Sequence, residues 1–493
     1  MDEQNLNEQE LNPVTEEATV EVPEEATEEV PEEATEEVTP ETLKPPVTDT
    51  PPAEPTVPAP DAIDETKPLV PKRERRKSKQ QIFKETYLPF VILGVSLLLC
   101  LSFIFGSVVL SRERAALKDQ EERIAELLTT EAEELKAKAA LLAAEYDYEN
   151  AIKTLAGYSG GLASHPELMS MYNSYKSALA ELVVWDDLSK IPNLSFRTLV
   201  TDLEKASADP DRGSRYRKNY ITTDEFSRIL NQLYENGYVL VSLSDFAMPY
   251  TAEDGSVGVN MTSIRLPEGK KPIILTSEGD NYYSHTEGCG GFADKLTVNE
   301  AGELVCVDTA GNEGAFGFVP VLNAFIAKHP DFSYEGARAT IALSGYEGLF
   351  GMELSQTEAI RKVAETLRQQ GYDIACYTYA DMEYADYGVA GLQEDLDKWF
   401  AEVTPVLGET DILVYPTGGD IKGQEAFSGS KYDALHGYGF RYFVGTGSGA
   451  SWGMTATQYA RHIRTIVSAV NLAEHPDWFA GLFDAATVLS ADR

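Results

Sequence analysis

The chain has 493 residues, a quarter of them charged, and a net charge of −39. That length allows one large catalytic-type domain with accessory segments. So acidic a balance excludes a general nucleic-acid binder, which needs a basic surface against the phosphates, and four cysteines in such a length exclude a disulfide scaffold.

Residues 1–71 carry 21 acidic and 2 basic side chains and 13 of the 25 prolines, with the eight-residue unit Glu24–Pro31 echoed by Glu32–Thr39. Few large apolar groups are present, so burial cannot offset the entropy of ordering the segment. The composition predicts a disordered acidic Pro/Glu-rich tail, either a solvated spacer or a docking tail for a basic cytoplasmic partner.

Residues 72–86 form a basic juxtamembrane segment, with seven basic residues and one Glu between Lys72 and Lys84. Residues 87–111 (Tyr87–Ser111) lack any charged side chain. As a helix this stretch reaches roughly 36 Å, enough to cross a hydrocarbon core of about 30 Å. It is longer than a secretory signal core and lies far inside the chain. The basic flank predicts a single-pass anchor with the N-terminus cytoplasmic and the C-terminal bulk outside, and contact between residues 72–84 and anionic lipid.

Residues 112–185 are expected to form a helical stalk and neck. Leu117, Ile124, Leu128, Leu135 and Leu142 are spaced by sevens with one four-residue step, a seam for either a solvated helix or a homodimer through 112–142. Tyr146–Ile152 and Leu168–Leu179 suggest one helical hairpin of the tetratricopeptide type, too little for a solenoid.

From about residue 190 the chain repeats helix, Gly-aromatic turn and strand. Thr222 and Glu225 read as a capping box before Phe226, Ile229, Leu230 and Leu233, then Gly237 and the strand Tyr238–Leu243. Ser355 and Glu358 read as a second box before Ile360, Val363, Ala364 and Leu367, then Gly371 and the strand Asp373–Tyr379. A third copy runs through Leu435 and Gly437 to Phe440–Val444; further strands are Ile273–Thr276, Arg338–Leu343 and Asp411–Tyr415. Apolar strands alternating with amphipathic helices predict an α/β domain over 190–493, a distorted (β/α) barrel of seven or eight strands. Lys295–Val307 reads as a hairpin within an insertion at about 286–314. Cys289 and Cys306 flank it, either paired or free; Cys100 falls in the apolar span and Cys376 in a strand.

Chemistry in parallel barrels gathers at the carboxyl ends of strands, where Phe196–Arg197, Ser277–Asp280, Tyr377–Asp381 and Tyr415–Asp420 (YPTGGD) fall, within the segments Ser195–Arg197, Lys271–Tyr283 (KPIILTSEGDNYY) and Gly371–Asp381 (GYDIACYTYAD). In frame and order these segments, with Tyr220–Phe226, resemble the motifs of polysaccharide deacetylases, the NodB-homology fold of carbohydrate esterase family 4, over about residues 190–485. The resemblance implies a barrel that hydrolyses N-acetyl groups on a glycan, with an aspartate base and an Asp-His-His set holding a divalent metal.

The residues at the matching positions differ. The Asp-Asp pair falls on Glu278 and Gly279, the two histidines on Tyr377 and Asp381, and another common histidine position on Arg197. Glu278 is then the remnant of the base and Asp381 the remnant metal ligand. A one-residue slip would bring Asp280 and His285 into an oxygen-rich site suited to manganese, magnesium or calcium better than zinc. Losing several ligands together points to a protein without hydrolytic activity and with no cofactor; an active site with altered ligands would take manganese, zinc or cobalt. Tyr282, Tyr283, Tyr377, Tyr415 and Trp452, with Arg197, are the candidate glycan contacts. Three readings follow. One is an anchored barrel binding envelope glycan such as peptidoglycan, or a partner, without cleaving it; another is an active metal-dependent deacetylase; the last is a structural protein of the envelope. A cell-membrane location in a Gram-positive bacterium follows from the resemblance and the single anchor.

Overall fold

A computed structural model describes residues 78–493 apart from 186, 262, 263, 424, 450 and 492. The acidic tail and residues 72–77 lie outside the described residues. Two compact units are present, one ending at Ser96 and one running from Leu97 to Arg493.

Among the described residues the first unit holds the start of a helical stretch. It consists of Lys79–Ile82, capped by the Ser78 hydroxyl, a π turn at Phe83–Tyr87, and the beginning of helix α1, Leu88–Ala144. The helical stretch from Lys79 contains a window with mean hydropathy of 2.6, long and apolar enough to cross a membrane. From Phe90 to Leu110 its large apolar side chains are exposed, with Phe103 81% exposed.

In the second unit the end of α1 packs with α2 (Tyr148–Ala156) and α3 (Pro166–Glu181). Asp147 caps α2 by accepting from the Asn150 amide at 3.1 Å. Ala132 and Ala139 are small enough to let the helices approach, and Leu155 and Leu168 are fully buried between them. Leu128, Leu135 and Leu142 pack into this cluster, whereas Leu117 and Ile124 stay exposed. The four-residue step in the leucine spacing marks the place where the helix turns its apolar stripe onto its own hairpin.

The remaining chain closes a parallel barrel. Its strands are β1 (Asn193–Phe196), β2 (Tyr238–Leu240), β3 (Lys271–Ser277), β4 (Thr340–Leu343), β5 (Asp373–Cys376), β6 (Ile412–Val414), β7 (Tyr442–Gly447) and β8 (Ala460–Ile466). Seven of them form the ring β1-β3-β4-β5-β6-β7-β8, closed by the pairing of β8 with β1, Thr465 against Leu194 and Ile466 against Ser195. β2 pairs with the first half of β3, whose second half pairs with β4, and Leu240 of β2 also bridges Ser333.

Period-two alternation sorts the strand residues. Ile274, Ala342, Ala375, Ile412, Val414 and Val444 fill the lumen, while Ile273, Leu275, Ile341, Leu343, Ile374 and Leu413 face the helical layer. The ribbon Ala247–Thr251 and Val257–Met261 supplies Ala247 and Val259 to the lumen cluster at the amino ends of the strands. Helix α4 (Thr223–Glu235) has the capping box expected of Thr222 and Glu225. The second expected box does not form. Helix α6 (Thr357–Gln369) follows α5 (Phe318–Lys328) and is preceded by Gln356 at its N-cap, and the Ser355 hydroxyl turns back to Glu353 instead. The inserted hairpin pairs Lys295–Val298 with Leu304–Val307 and gains a third strand at Glu313–Gly314. Cys289 and Cys306 are free thiols.

Candidate functional site

The carboxyl ends of β1, β3, β5 and β6 surround a cleft of about 260 Å³ lined by Arg197, Glu278, Tyr283, His285, Tyr377 and Asp381, with Arg215, Tyr220, Tyr346 and Thr417 among the rest. Strand polarity places these groups together, since Arg197, Glu278 and Tyr377 each stand one residue past the end of a barrel strand.

Glu278 sits at the centre. Its Oε1 accepts from the Arg464 guanidinium and the Ser195 hydroxyl, and its Oε2 accepts from the Tyr377 hydroxyl at 2.9 Å. Burial alone would raise the carboxyl, but the charge and hydrogen bond of Arg464, with smaller contributions from Ser195 and Arg197, hold it below the usual range. Arg464 is itself fully buried, reaching inward from β8. It donates to the carbonyls of Val444 and Gly445, both at 3.0 Å, and of Tyr415 at 2.9 Å. Every arm of the guanidinium is therefore occupied, as a buried charge requires.

Gly279 follows with no space beside it. A Cβ there would stand 1.9 Å from the Thr198 amide nitrogen, and the Thr198 hydroxyl donates to the Gly279 carbonyl at 2.8 Å. Tyr377 is buried; burial and then Glu278 push its hydroxyl far above its ordinary value, so it remains a proton donor. The loop after β5 carries Thr378 and Asp381 at φ 59°. Left-handed backbone at non-glycine residues is costly, especially at a β-branched threonine. Asp395 of α7 (Val389–Lys398) holds the loop there, accepting from the Tyr379 amide at 2.7 Å, the Ala380 amide at 2.9 Å and the Tyr384 hydroxyl at 2.7 Å.

An aromatic wall forms the open side. The ring of Tyr283 lies 5.8 Å from His285, nearly parallel, and 6.2 Å from Tyr346. Burial, then Arg215 and Arg212, lower the pKa of His285, which keeps the imidazole neutral. The Asp381 carboxyl is raised, first by burial and then by Glu278, against the opposing charge of Arg197.

Several residues singled out in the sequence stand elsewhere. Asp280 and Tyr282 are enclosed with Cys306, the Tyr282 hydroxyl lying 3.2 Å from Asp280 and 3.1 Å from the thiol. Tyr415 is fully buried on the helical side, stacked on Phe443, and enters the site only through its carbonyl. Trp452 lies beside Arg461, whose guanidinium carbon is 5.1 Å from its ring. Arg464 and Asp395 were not foreseen. The segment Tyr459–Val467 (YARHIRTIV) alternates no apolar face and so gives no strand signal, and Asp395 lies within an ordinary polar helix pattern.

The implied family site holds a divalent metal, and the donors present do not fit one. Both oxygens of Glu278 are engaged by Arg464, Ser195 and Tyr377, the next position has no side chain, and a phenol that donates its proton is a poor ligand. Among the described residues no three His, Cys, Asp or Glu side chains are grouped to hold a metal ion.

No family model and no curated protein sequence matches the chain. Among solved structures, the Streptococcus pyogenes deacetylase PplD in complex with acetate is similar at 12% identity and a TM-score of 0.31, over 57% of this chain and 94% of that one. A polysaccharide deacetylase from Bacillus cereus is similar at 13% identity and a TM-score of 0.32, over 57% of this chain and 65% of that one.

Proposed function

We propose that this is a single-pass membrane protein whose barrel binds a carbohydrate of the cell envelope without hydrolysing it. The observation that carries this reading is the Glu278–Arg464 pair. A general base must be basic enough to take a proton from the water it activates, and here the carboxylate is paired with a buried cation and hydrogen-bonded by two hydroxyl donors, which hold its pKa low. What remains is an open cleft with an aromatic wall and polar groups around it. Such walls stack on the C–H faces of sugars while hydroxyl, carboxyl and guanidinium groups take the sugar hydroxyls.

The apolar run 87–111 serves as the anchor, with the basic segment on the cytoplasmic side and the barrel outside. The experiment uses the full chain in detergent micelles. Acetate release from chitotetraose is followed with and without added zinc, manganese or cobalt, together with pull-down on insoluble peptidoglycan. Retention on glycan without acetate release is expected, with retention reduced about tenfold by Tyr346→Ala. Metal-dependent release abolished by Glu278→Gln would replace this reading with the hydrolytic one.

A further inference from the structure

We propose that the sugar recognised by this cleft is an acidic one, carrying a carboxylate or a phosphate; the inference rests on the glycan-binding reading and specifies its ligand. The argument begins with the charges lining the cleft. Arg197 and Arg215 are the cations, and Glu278 and Asp381 are the anions. Glu278 is already balanced by Arg464 beneath it. Asp381 in the cleft and Glu347 beside His285 are left against the guanidinium groups of Arg197, Arg215 and Arg212, in a chain whose overall charge is −39. The cleft is thus a cationic spot on an acidic protein.

The two arginines also have donors to spare. The Arg197 side chain makes one long hydrogen bond, from Nη1 to the Asn219 carbonyl at 3.5 Å. Arg215 is exposed at the mouth, with Arg212 close enough for both to act on His285. A guanidinium presents paired N–H groups that match the two oxygens of a carboxylate or phosphate, and it loses less hydration on binding than an ammonium does. Neutral His285, 3.5 Å from the Tyr220 hydroxyl, adds a hydrogen-bonding group that carries no charge to compete with the arginines. The aromatic wall of Tyr283 and Tyr346 lies on the same cleft, so one ligand meets ring faces and guanidinium groups together. A neutral sugar would leave the spare guanidinium donors without an anion to bind.

The test compares ligands on the full chain in detergent micelles at low salt. Tetragalacturonate supplies the carboxylate, a glycerol-phosphate teichoic chain supplies the phosphate, and chitotetraose is the neutral reference. One or both acidic ligands should bind about tenfold tighter than chitotetraose, the scale of one charge-assisted contact. Which one binds tighter identifies the anion. The preference should shrink in 0.5 M salt, where the Debye length is only a few Å, and in Arg215→Gln. That substitution is at an exposed side chain, so the fold is not at risk, and it should weaken the acidic ligands more than it weakens chitotetraose. Equal affinity for acidic and neutral ligands would overturn the proposal and leave glycan binding standing. No binding of any of the three would remove the underlying reading and the proposal with it.

Discussion

Arg464 and Glu278 meet inside the barrel across 186 residues of sequence, one at the end of the last strand and the other just past the third. The pair is buried on both sides, at 0% and 4% side-chain exposure. Removing one partner leaves the other charge uncompensated. Arg464→Met should lower unfolding free energy by about 3–5 kcal/mol, while the double change Arg464→Met with Glu278→Leu should recover most of that loss. Chemical denaturation of the full chain in micelles, read by circular dichroism, tests both. A double variant no more stable than the single would mean that the two charges do not compensate each other.

Gly279 gives a second expectation. The Cβ position overlaps the Thr198 backbone, and backbone atoms cannot swing away as a flexible side chain can. Gly279→Ala should cost at least about 1–3 kcal/mol, the range for overpacked sites. Gly279→Asp should cost more and should not restore metal binding, because Arg464 still holds Glu278. Thermal melting and elemental mass spectrometry of the same sample read the two outcomes.

Asp395 stabilises the loop that carries Tyr377 and Asp381. Its carboxylate satisfies two backbone amides and one phenol, so Asp395→Ala strands three donors and releases the left-handed residues Thr378 and Asp381. A loss of about 2–4 kcal/mol is expected. Hydrogen exchange should quicken at residues 377–385 before it does in β5, and unchanged protection of that loop would contradict the role.

At the opposite end of the barrel, Asp373 starts β5 with its carboxyl pushed up to about 7 by burial, then by Asp245 and, more weakly, Asp411. Its Oδ2 has no hydrogen-bond partner. The folded state therefore holds this proton more tightly than the unfolded chain, whose carboxyl titrates near 3.9. Its contribution is most favourable below pH 4, declines as pH rises through about 7, and is flat above that. The full span is on the order of 4 kcal/mol. Asp373→Asn should raise the melting temperature at pH 8 and change it little at pH 4.5; an equal effect at both would exclude the titration as its cause.

The barrel was legible where sequence and burial agree. Phe226, Ile229, Leu230 and Leu233 form one buried helix face beside the capping box of Thr222 and Glu225, and the runs at Ile273–Leu275 and Ile374–Cys376 are strands with both faces covered. The closing strand β8 escaped because its lumen positions are His462 and Arg464 and its outer face includes Arg461. Polar residues buried on both sides leave no hydrophobic period to detect. The same holds at the site. Glu278, Tyr377, Asp381 and Arg197 could be aligned by motif frame, whereas the partner that changes the chemistry of Glu278 lies in a segment with no motif. Tyr282 and Tyr415 show the converse error: an aromatic residue next to a strand end faces lumen or helix according to parity, and both fall on the helical side.

The pairing of first and last strands sets the order of assembly. β1 has β3 on one edge and β8 on the other, and the final residue, Arg493, reaches back 268 positions to grip Glu225 in the first barrel helix. As the chain leaves the ribosome, one edge of β1 stays unpaired until β8 has emerged. Closure of so non-local a ring is slow, and open edges invite pairing with other chains. Shielding of that edge during synthesis is thus a requirement imposed on the cell by the topology alone.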